Sequence, residues 1–192
     1  MQNKKLIYII EHLEPELFEW CLIEYEHISE TVGKENLWFT NIKSSDVKKL
    51  LKFGKVFSES VRNMDLNSAC VLDPESDNTL SPTDNFEYYI FGGILGDYPP
   101  KKRTKKELTK FIVNVQTRNI GKEQMSTDNA VFTVKQIVEK GKKFNELEFI
   151  DNASIEINEF ESVDLPYRYN LVDDKPFMSL KIKNYLIKKK GF

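Results

Sequence analysis

The fold is decided by one stretch, Tyr88-Tyr89-Ile90-Phe91-Gly92-Gly93-Ile94-Leu95-Gly96-Asp97-Tyr98-Pro99-Pro100. An apolar run that ends in two glycines predicts a buried strand leading directly into a loop. Ligands of open parallel sheets bind beyond the carboxyl ends of the strands, and glycines let the main chain approach a ligand closely. A tight turn leaving the strand is the alternative explanation for the glycine pair. The loop contains no GxGxxG motif, so a dinucleotide fingerprint is excluded.

Two further apolar runs lead into polar loops of the same kind. Residues 69–72 end at Asp73-Pro74, and residues 111–115 are followed by a loop from Ile120 to Asp128. Ser126 or Thr127 can cap a helix there, and free backbone N–H groups at that end favour an electron-rich ligand edge. An ordinary capped helix explains this loop equally well when it is taken alone.

The rest of the chain alternates between apolar strands and amphipathic helices. A helix is expected to begin at Leu13-Glu14-Pro15 and to end at Gly33, while 55–66 has no clear period. Wholly apolar strands between helices predict an α/β protein with a parallel sheet covered on both faces. We expect a single domain over 1–192, with further strands at 6–10, 37–39, 147–150 and 155–157 and further helices at 46–53, 126–140 and 178–189.

Composition excludes several classes of protein. The chain has 192 residues, of which 40% are hydrophobic and 30% charged, and no apolar run approaches the ~20 residues of a membrane helix. The amino terminus, beginning Met1-Gln2-Asn3, lacks a secretory pattern, so we expect a cytoplasmic protein. With two cysteines and two histidines, neither a disulfide scaffold nor a zinc site is expected, and we predict no metal.

The charge balance points away from a polyanionic partner. The net charge is −2, and the basic residues concentrate in Lys101-Lys102-Arg103-Thr104-Lys105-Lys106 and in the tail Lys188-Lys189-Lys190. Proteins that bind an RNA backbone usually carry a basic excess, because phosphate contacts dominate their affinity. The remaining chain is acidic, which suits a positively charged substrate.

Several blocks of sequence resemble the SPOUT protein arginine methyltransferases. They are the Gly92–Pro100 loop with Arg103-Thr104, then Gln124-Met125-Ser126-Thr127-Asp128 and Leu165-Pro166-Tyr167-Arg168-Tyr169, joined by Tyr8-Ile9-Ile10-Glu11-His12, Glu19-Trp20 and Leu72-Asp73-Pro74. The resemblance runs from about Tyr8 to Tyr169. It implies a SPOUT fold with a deep carboxyl-terminal trefoil knot over roughly 70–170, S-adenosylmethionine as cofactor, and an arginine of a basic small-subunit ribosomal protein as substrate. It leaves monomer and homodimer open.

The same resemblance assigns the cofactor to the three loops already selected. Main-chain groups would hold adenine and ribose, and apolar side chains would form the walls. The residues implied are Leu72, Asp73, Gly92, Gly93, Ile94, Gly96, Ile120, Gly121, Gln124, Met125, Thr127 and Arg168.

Methylation of arginine calls for a carboxylate near the cofactor. The guanidinium has a pKa above about 12 and is a poor nucleophile, and a bidentate carboxylate can localise its charge away from the attacking nitrogen. The candidates at the strand ends are Asp97, Asp128 and Glu11, with Asp73 as a fourth. Local backbone hydrogen bonding explains Asp97 equally well, and a first-turn helix position explains Asp128.

Two other functions stay open at this point. A SPOUT RNA methyltransferase would use residues 101–106 to follow phosphates, although a solvated loop explains that segment too. A non-catalytic knotted protein could instead dock on a ribosomal partner. The glycine loops count against that second alternative, because a scaffold does not need close approach of the main chain to a ligand.

Overall fold

A twisted parallel sheet forms the centre of the molecule in the computed structural model, which describes residues 5–113 and 115–189. In those residues the sheet has six strands in the order β3-β2-β1-β5-β4-β6, with β1 and β5 adjacent at its middle. Met1 to Lys4, Asn114 and Lys190 to Phe192 lie outside the described residues. The strands are β1 Ile7–His12, β2 Leu37–Thr40, β3 Lys55–Val56, β4 Ala69–Leu72, β5 Tyr88–Gly93 and β6 Gln116–Arg118.

Helices cover the sheet on both faces. Helices α1 and α4 pack together over one face, where they bury the rings of β1 and β5, and the short α3 and the segment after it lie over the other. The helices are α1 Glu19–Val32, α2 Val47–Leu50, α3 Arg103–Glu107, α4 Thr127–Val138 and α5 Leu180–Lys189. This two-sided burial explains why the central strands are apolar throughout. In the described part of the chain, no helix has both the length and the apolar character needed to cross a bilayer.

The predicted start of the first helix is wrong by about four residues. Helix α1 begins at Glu19, not at Leu13-Glu14-Pro15. Residues 13–18 instead lie beside the end of β5, where the Leu13 N–H donates to the Gly93 carbonyl. The Glu14 carboxylate holds the segment in this position, since it accepts from the Leu95 N–H.

The predicted strand at 111–115 is also wrong. Phe111 ends a short 3₁₀ turn, and strand β6 begins only at Gln116, where it pairs in parallel with β4. Ile112 and Val115 pack onto the core between α3 and the sheet. Ile112 and Val115 therefore pack over the sheet, while the more polar β6 forms its edge strand. Asn114 lies outside the described residues.

From Phe149 onward the chain forms an antiparallel addition. The separate strands predicted at 147–150 and 155–157 form one strand, β7 Phe149–Asn158, which pairs with the long β8 Glu161–Val172. A short strand, β9 Lys175–Pro176, completes this sheet. Strand β8 escaped prediction because Pro166 interrupts it, and Pro166 lies where the pairing register shifts.

Both cysteines are buried. Cys21 lies on the inner face of α1 and Cys70 within β4. Burial raises the pKa of each thiol to about 12. They are therefore packing groups, not nucleophiles.

Candidate active site

A cavity opens at the carboxyl ends of β4 and β5, the position expected for a ligand site in a parallel sheet. Including its open mouth it holds about 920 Å³. Three loops enclose it: the one after β4, the glycine loop after β5, and the segment 120–127 that leads into α4. Its size is within the range of small-molecule sites.

Most of the sequence-predicted cofactor residues line this cavity. They are Leu72, Asp73, Gly92, Ile94, Gly96, Ile120, Gly121, Gln124, Met125 and Thr127. Gly93 does not, because it faces α1, where an added Cβ would lie 2.3 Å from the Tyr25 hydroxyl. Close packing against Tyr25 therefore explains why position 93 is a glycine. The roles of the lining residues in binding a ligand stay predictions.

Arg168 lies behind the third loop instead of in the cavity. Its guanidinium forms ion pairs with Asp151 at 2.7 Å and Glu123 at 2.9 Å, and these carboxylates raise its pKa. Its backbone N–H donates to the Gln124 carbonyl at 2.8 Å. Arg168 therefore pins strand β8 to the cavity loop, and its predicted role toward the cofactor stays a prediction.

Side chains tie the glycine loop to the segments on either side of it. The Gln124 amide accepts from the Asp97 N–H at 3.3 Å and donates to the Asp97 carbonyl at 3.0 Å. The Glu14 carboxylate accepts from the Leu95 N–H at 2.9 Å and from Arg103 at 2.7 Å. The glycine loop is therefore held from both sides before any ligand arrives.

Gly96 stands at a close contact between this loop and strand β8. The Tyr167 hydroxyl donates to the Gly96 carbonyl at 3.2 Å, and a Cβ at Gly96 would lie 2.3 Å from the Tyr167 ring. The same Cβ would lie 2.9 Å from the Gln124 amide nitrogen. No side chain fits there unless the ring or the loop moves.

We expect Gly96→Ala to weaken ligand binding about tenfold or more, because overpacking of this kind typically costs ~1–3 kcal/mol. Isothermal titration with S-adenosylmethionine and thermal unfolding measure the two effects. Gly141→Ala is the matched control, since its Cβ would meet nothing within 4 Å and only its positive φ is strained. That variant should lose some stability but no affinity, and equal affinities for the two variants would contradict the prediction.

The cavity residues fit the cofactor that the resemblance implies. Apolar side chains of Leu72, Phe91 and Ile120 offer a slot for a flat ring, and bare main chain at Gly92 and Gly121 offers donors and acceptors. Thr127 adds the amino terminus of α4. An adenosine group needs this combination of apolar walls and a few fixed polar groups.

The three carboxylates predicted as catalytic lie in different environments. Asp97 lines the cavity at its rim and pairs with Lys101 at 2.7 Å. Asp128 is buried and pairs with His27 at 2.7 Å. Glu11 is fully buried within the sheet, away from the cavity lining, where it accepts hydrogen bonds from Thr40, Ser60 and the Val61 N–H. The structure does not bring these three groups together.

Sequence reasoning missed another carboxylate, Glu24. It lines a second cavity, which meets the first at Ile94, Leu95 and Gly96. One signal could have found it: Glu24 lies four residues after Trp20 and four before Ile28, so it is a charged residue on the buried face of α1. The missed Glu14–Arg103 pair spans 89 residues, and no local pattern indicates it.

Comparisons with known proteins agree with this geometry. The protein arginine N-methyltransferase SFM1 of Saccharomyces cerevisiae is 36% identical over 89% of this chain and 89% of its own length. The crystal structure of the yeast enzyme complexed with SAM superimposes with a TM-score of 0.88 at 32% identity, covering 98% of this chain and 93% of the other. The complex with SAH gives 0.86 at 32%, covering 94% of each.

A more distant likeness concerns the fold alone. The structure of Trm10 from Thermococcus kodakaraensis matches with a TM-score of 0.57 at 19% identity, over 73% of this chain and 96% of the other. The predicted fold class, a mostly parallel SPOUT sheet flanked by helices, is confirmed. The deep trefoil knot, its extent over 70–170 and the single-domain assignment stay predictions.

A family model described as "Protein arginine N-methyltransferase SFM1-like" matches residues 7–191. It spans both the parallel sheet with its cavity and the antiparallel addition. The chain belongs to the SFM1-like family of protein arginine N-methyltransferases.

Proposed function

We propose that this protein transfers a methyl group from S-adenosylmethionine to an arginine in a basic segment of a small-subunit ribosomal protein in the cytoplasm. The prediction of an S-adenosylmethionine-dependent protein arginine methyltransferase is confirmed by family membership. The ribosomal substrate and the cytoplasmic location are proposals that go beyond family membership. What supports the basic substrate is a groove that Asp164 lines, beside an acidic hairpin, and that shares Gly96 with the cofactor cavity.

The cofactor supplies a methyl group on a positively charged sulfur, and the task of the protein is to align it with the acceptor nitrogen. Well-oriented positioning contributes on the order of 7–11 kcal/mol to such a reaction. Here the positioning comes from loops that are already tied together through Gln124, Glu14 and Arg103. Leu72 and Ile120 exclude water from one side of the cavity.

The groove lies beside the hairpin of β7 and β8, residues 149–172, which we call the acidic arm. Five acidic residues stand on the arm against the single basic residue Arg168. Asn152, Asp164 and Pro166 line the groove, and it reaches Tyr167 and Gly96 at the edge of the cofactor cavity. A basic peptide lying along the arm would be attracted electrostatically and led to the methyl donor.

The basic segment 101–106 gives less support to an RNA substrate. Lys101 pairs with Asp97, Lys102 pairs with Glu75 at 2.8 Å, and Arg103 pairs with Glu14 and Glu107. Cations that are already paired with carboxylates attract phosphates weakly, because their net charge is cancelled. Lys101, Lys102 and Arg103 therefore act mainly within the protein, while Lys105 and Lys106 are exposed and take part in none of these ion pairs.

We expect transfer of labelled methyl to one small-subunit ribosomal protein purified from cells that lack this enzyme. Incubation with labelled S-adenosylmethionine, electrophoresis and fragment mass spectrometry of the labelled band identify methylarginine. Ribosomal and transfer RNA from the same cells serve as the parallel substrates. Label in RNA alone would contradict a protein substrate. Label only in non-ribosomal proteins would contradict a ribosomal substrate.

Charge reversal in the groove tests how the substrate is recognised. Asp164→Lys should raise the KM for the basic protein about tenfold or more and leave cofactor affinity unchanged, as expected for loss of electrostatic attraction. Glu35→Lys is the matched control, because Glu35 is exposed just before the amino end of β2, whereas the cavity lies at the carboxyl ends of β4 and β5. Equal KM values for the two variants would mean that the substrate does not follow the arm.

A further inference from the structure

We propose that the second cavity receives the acceptor arginine side chain and that Glu24 at its floor holds the guanidinium. This inference rests on the proposed function in taking arginine as the acceptor. It assigns the binding of the guanidinium to Glu24, which the sequence had not selected. The second cavity is lined by Phe18, Trp20, Glu24, Ile94, Leu95, Gly96, Ser126, Tyr167, Tyr185 and Lys189.

The position of this cavity is the first argument. It holds about 940 Å³ including its mouth and is divided from the cofactor cavity only by the glycine loop, since Ile94, Leu95 and Gly96 line both. Thr127 lines the cofactor cavity and also forms hydrogen bonds toward Glu24. The two cavities are therefore neighbours, as methyl transfer from a ligand in one to a side chain in the other requires.

Aromatic walls are the second argument. Trp20 and Tyr185 meet edge to face with ring centroids 5.7 Å apart, and Tyr167 closes the side toward Gly96. A guanidinium stacks favourably on such rings. One cation already uses this surface, since the Lys189 ammonium lies 5.7 Å from the centre of the Tyr185 ring.

The uncompensated charge of Glu24 is the third argument. The side chain is 5% exposed and accepts a hydrogen bond of 2.7 Å from the Trp20 ring N–H. No lysine or arginine in the described residues forms an ion pair with it. A buried carboxylate without a cation is costly, and an entering guanidinium would supply the missing partner.

The charged neighbours reinforce this reading. Burial, followed by the charge of Asp128, raises the pKa of Glu24 above its ordinary value, while hydrogen bonds from Trp20 and Thr127 act in the opposite direction. Asp128 is itself held by His27 and Ser126, so it adds negative charge behind Glu24. Lys189, at the end of α5, is the cation on the lining of the cavity.

The chemistry balances with these groups. A bond forms between the guanidinium nitrogen and the methyl carbon, the carbon–sulfur bond breaks, and its electron pair stays on sulfur. The nitrogen loses one proton, which the Glu24 carboxylate accepts and passes to solvent. A carboxylate with a raised pKa is a better base for this step than an ordinary one.

Binding of a minimal acceptor tests the inference without any protein substrate. Acetyl-arginine-amide is titrated into the protein saturated with S-adenosylhomocysteine, and Trp20 fluorescence and calorimetry report binding. We expect Glu24→Gln to weaken it at least about thirtyfold, as for loss of one partner of a buried charge pair. Acetyl-citrulline-amide, the neutral analogue, should bind the wild type no better than acetyl-arginine-amide binds the variant.

Glu24→Gln should remain folded. A carboxyl group whose pKa is raised on folding costs stability as pH rises above its ordinary value of about 4.3, so a neutral amide is at least as stable near pH 7. Glu30→Gln is the matched control, since Glu30 is exposed on the same helix. It should bind acetyl-arginine-amide like the wild type.

The outcomes separate the inference from the proposed function. Equal arginine-amide affinity in wild type and Glu24→Gln, or no binding to the wild type, overturns the inference whatever the enzyme methylates. Glu24-dependent binding without labelling of ribosomal proteins supports the pocket and overturns the ribosomal substrate. With a protein substrate in hand, Glu24→Gln should lose at least about a hundredfold in kcat/KM at unchanged cofactor affinity.

Discussion

Replacing Glu11 with alanine is expected to lower the free energy of unfolding by about 3–5 kcal/mol, the cost of breaking a buried hydrogen-bonded network around a charge. Three donors converge on this carboxylate: the Thr40 hydroxyl at 2.6 Å, the Ser60 hydroxyl at 2.5 Å and the Val61 N–H at 2.9 Å. Alanine would remove the acceptor of all three, and the Thr40 hydroxyl would keep only a long contact of 3.4 Å with the Ile10 carbonyl. In a protein of this size the melting temperature should fall by roughly 6–20 °C.

Thermal and urea unfolding measure this loss. Glu35→Ala is the control, because an exposed glutamate away from such a network should change stability by no more than about 0.5 kcal/mol. Glu11→Gln keeps an acceptor oxygen and should fall between the two. If Glu11→Ala melted like the wild type, the side chain would not be the tie between β1, β2 and the loop at residue 60 that the structure indicates.

Arg103→Met is expected to weaken S-adenosylmethionine binding on the order of a hundredfold, because removing one member of a partly buried ion-pair network costs up to ~3 kcal/mol. Arg103 pairs with Glu14 at 2.7 Å and with Glu107 at 2.7 Å, and these carboxylates raise its pKa. Glu14 in turn accepts from the Leu95 N–H. Without the guanidinium, the Glu14 carboxylate is drawn toward water and the glycine loop loses its support.

Calorimetric titration with S-adenosylmethionine and thermal unfolding check this result. Lys105→Met, an exposed position on the same helix, is the matched control and should leave both quantities close to those of the wild type. Loss of stability in Arg103→Met with full cofactor affinity would mean that the network supports α3 and not the loop.

The two predictions concern residues that sequence reasoning treated differently. Glu11 stood among the catalytic candidates because it follows an apolar strand, and the structure surrounds it with hydrogen-bond donors. Arg103 belonged to a basic segment that could follow phosphates, and the structure pairs it with carboxylates. In both cases the residue type was evident, while its partners came from distant parts of the chain.

The sequence by itself determined the position of the first cavity, at the carboxyl ends of β4 and β5. Apolar runs indicate buried strands, and parallel strands have their carboxyl ends at one edge of the sheet. The glycines at the end of β5 and in the loop after it indicate where the main chain carries no side chain. Those three facts are local, and the cavity forms at the loops they indicate. The same reasoning gave a wrong prediction at 111–115, because an apolar run has the same sequence pattern whether it forms a strand of the sheet or packs over the sheet.

Only the tertiary structure decided the rest of the site. The pocket around Glu24 joins α1, the glycine loop, strand β8 and α5, and the pair between Glu14 and Arg103 joins segments 89 residues apart. The antiparallel arm depends on pairing across a strand that contains Pro166. The physical reason is the same in each case: burial, ion pairing and strand pairing depend on which segments meet, whereas periodicity and glycine placement depend only on neighbours along the chain.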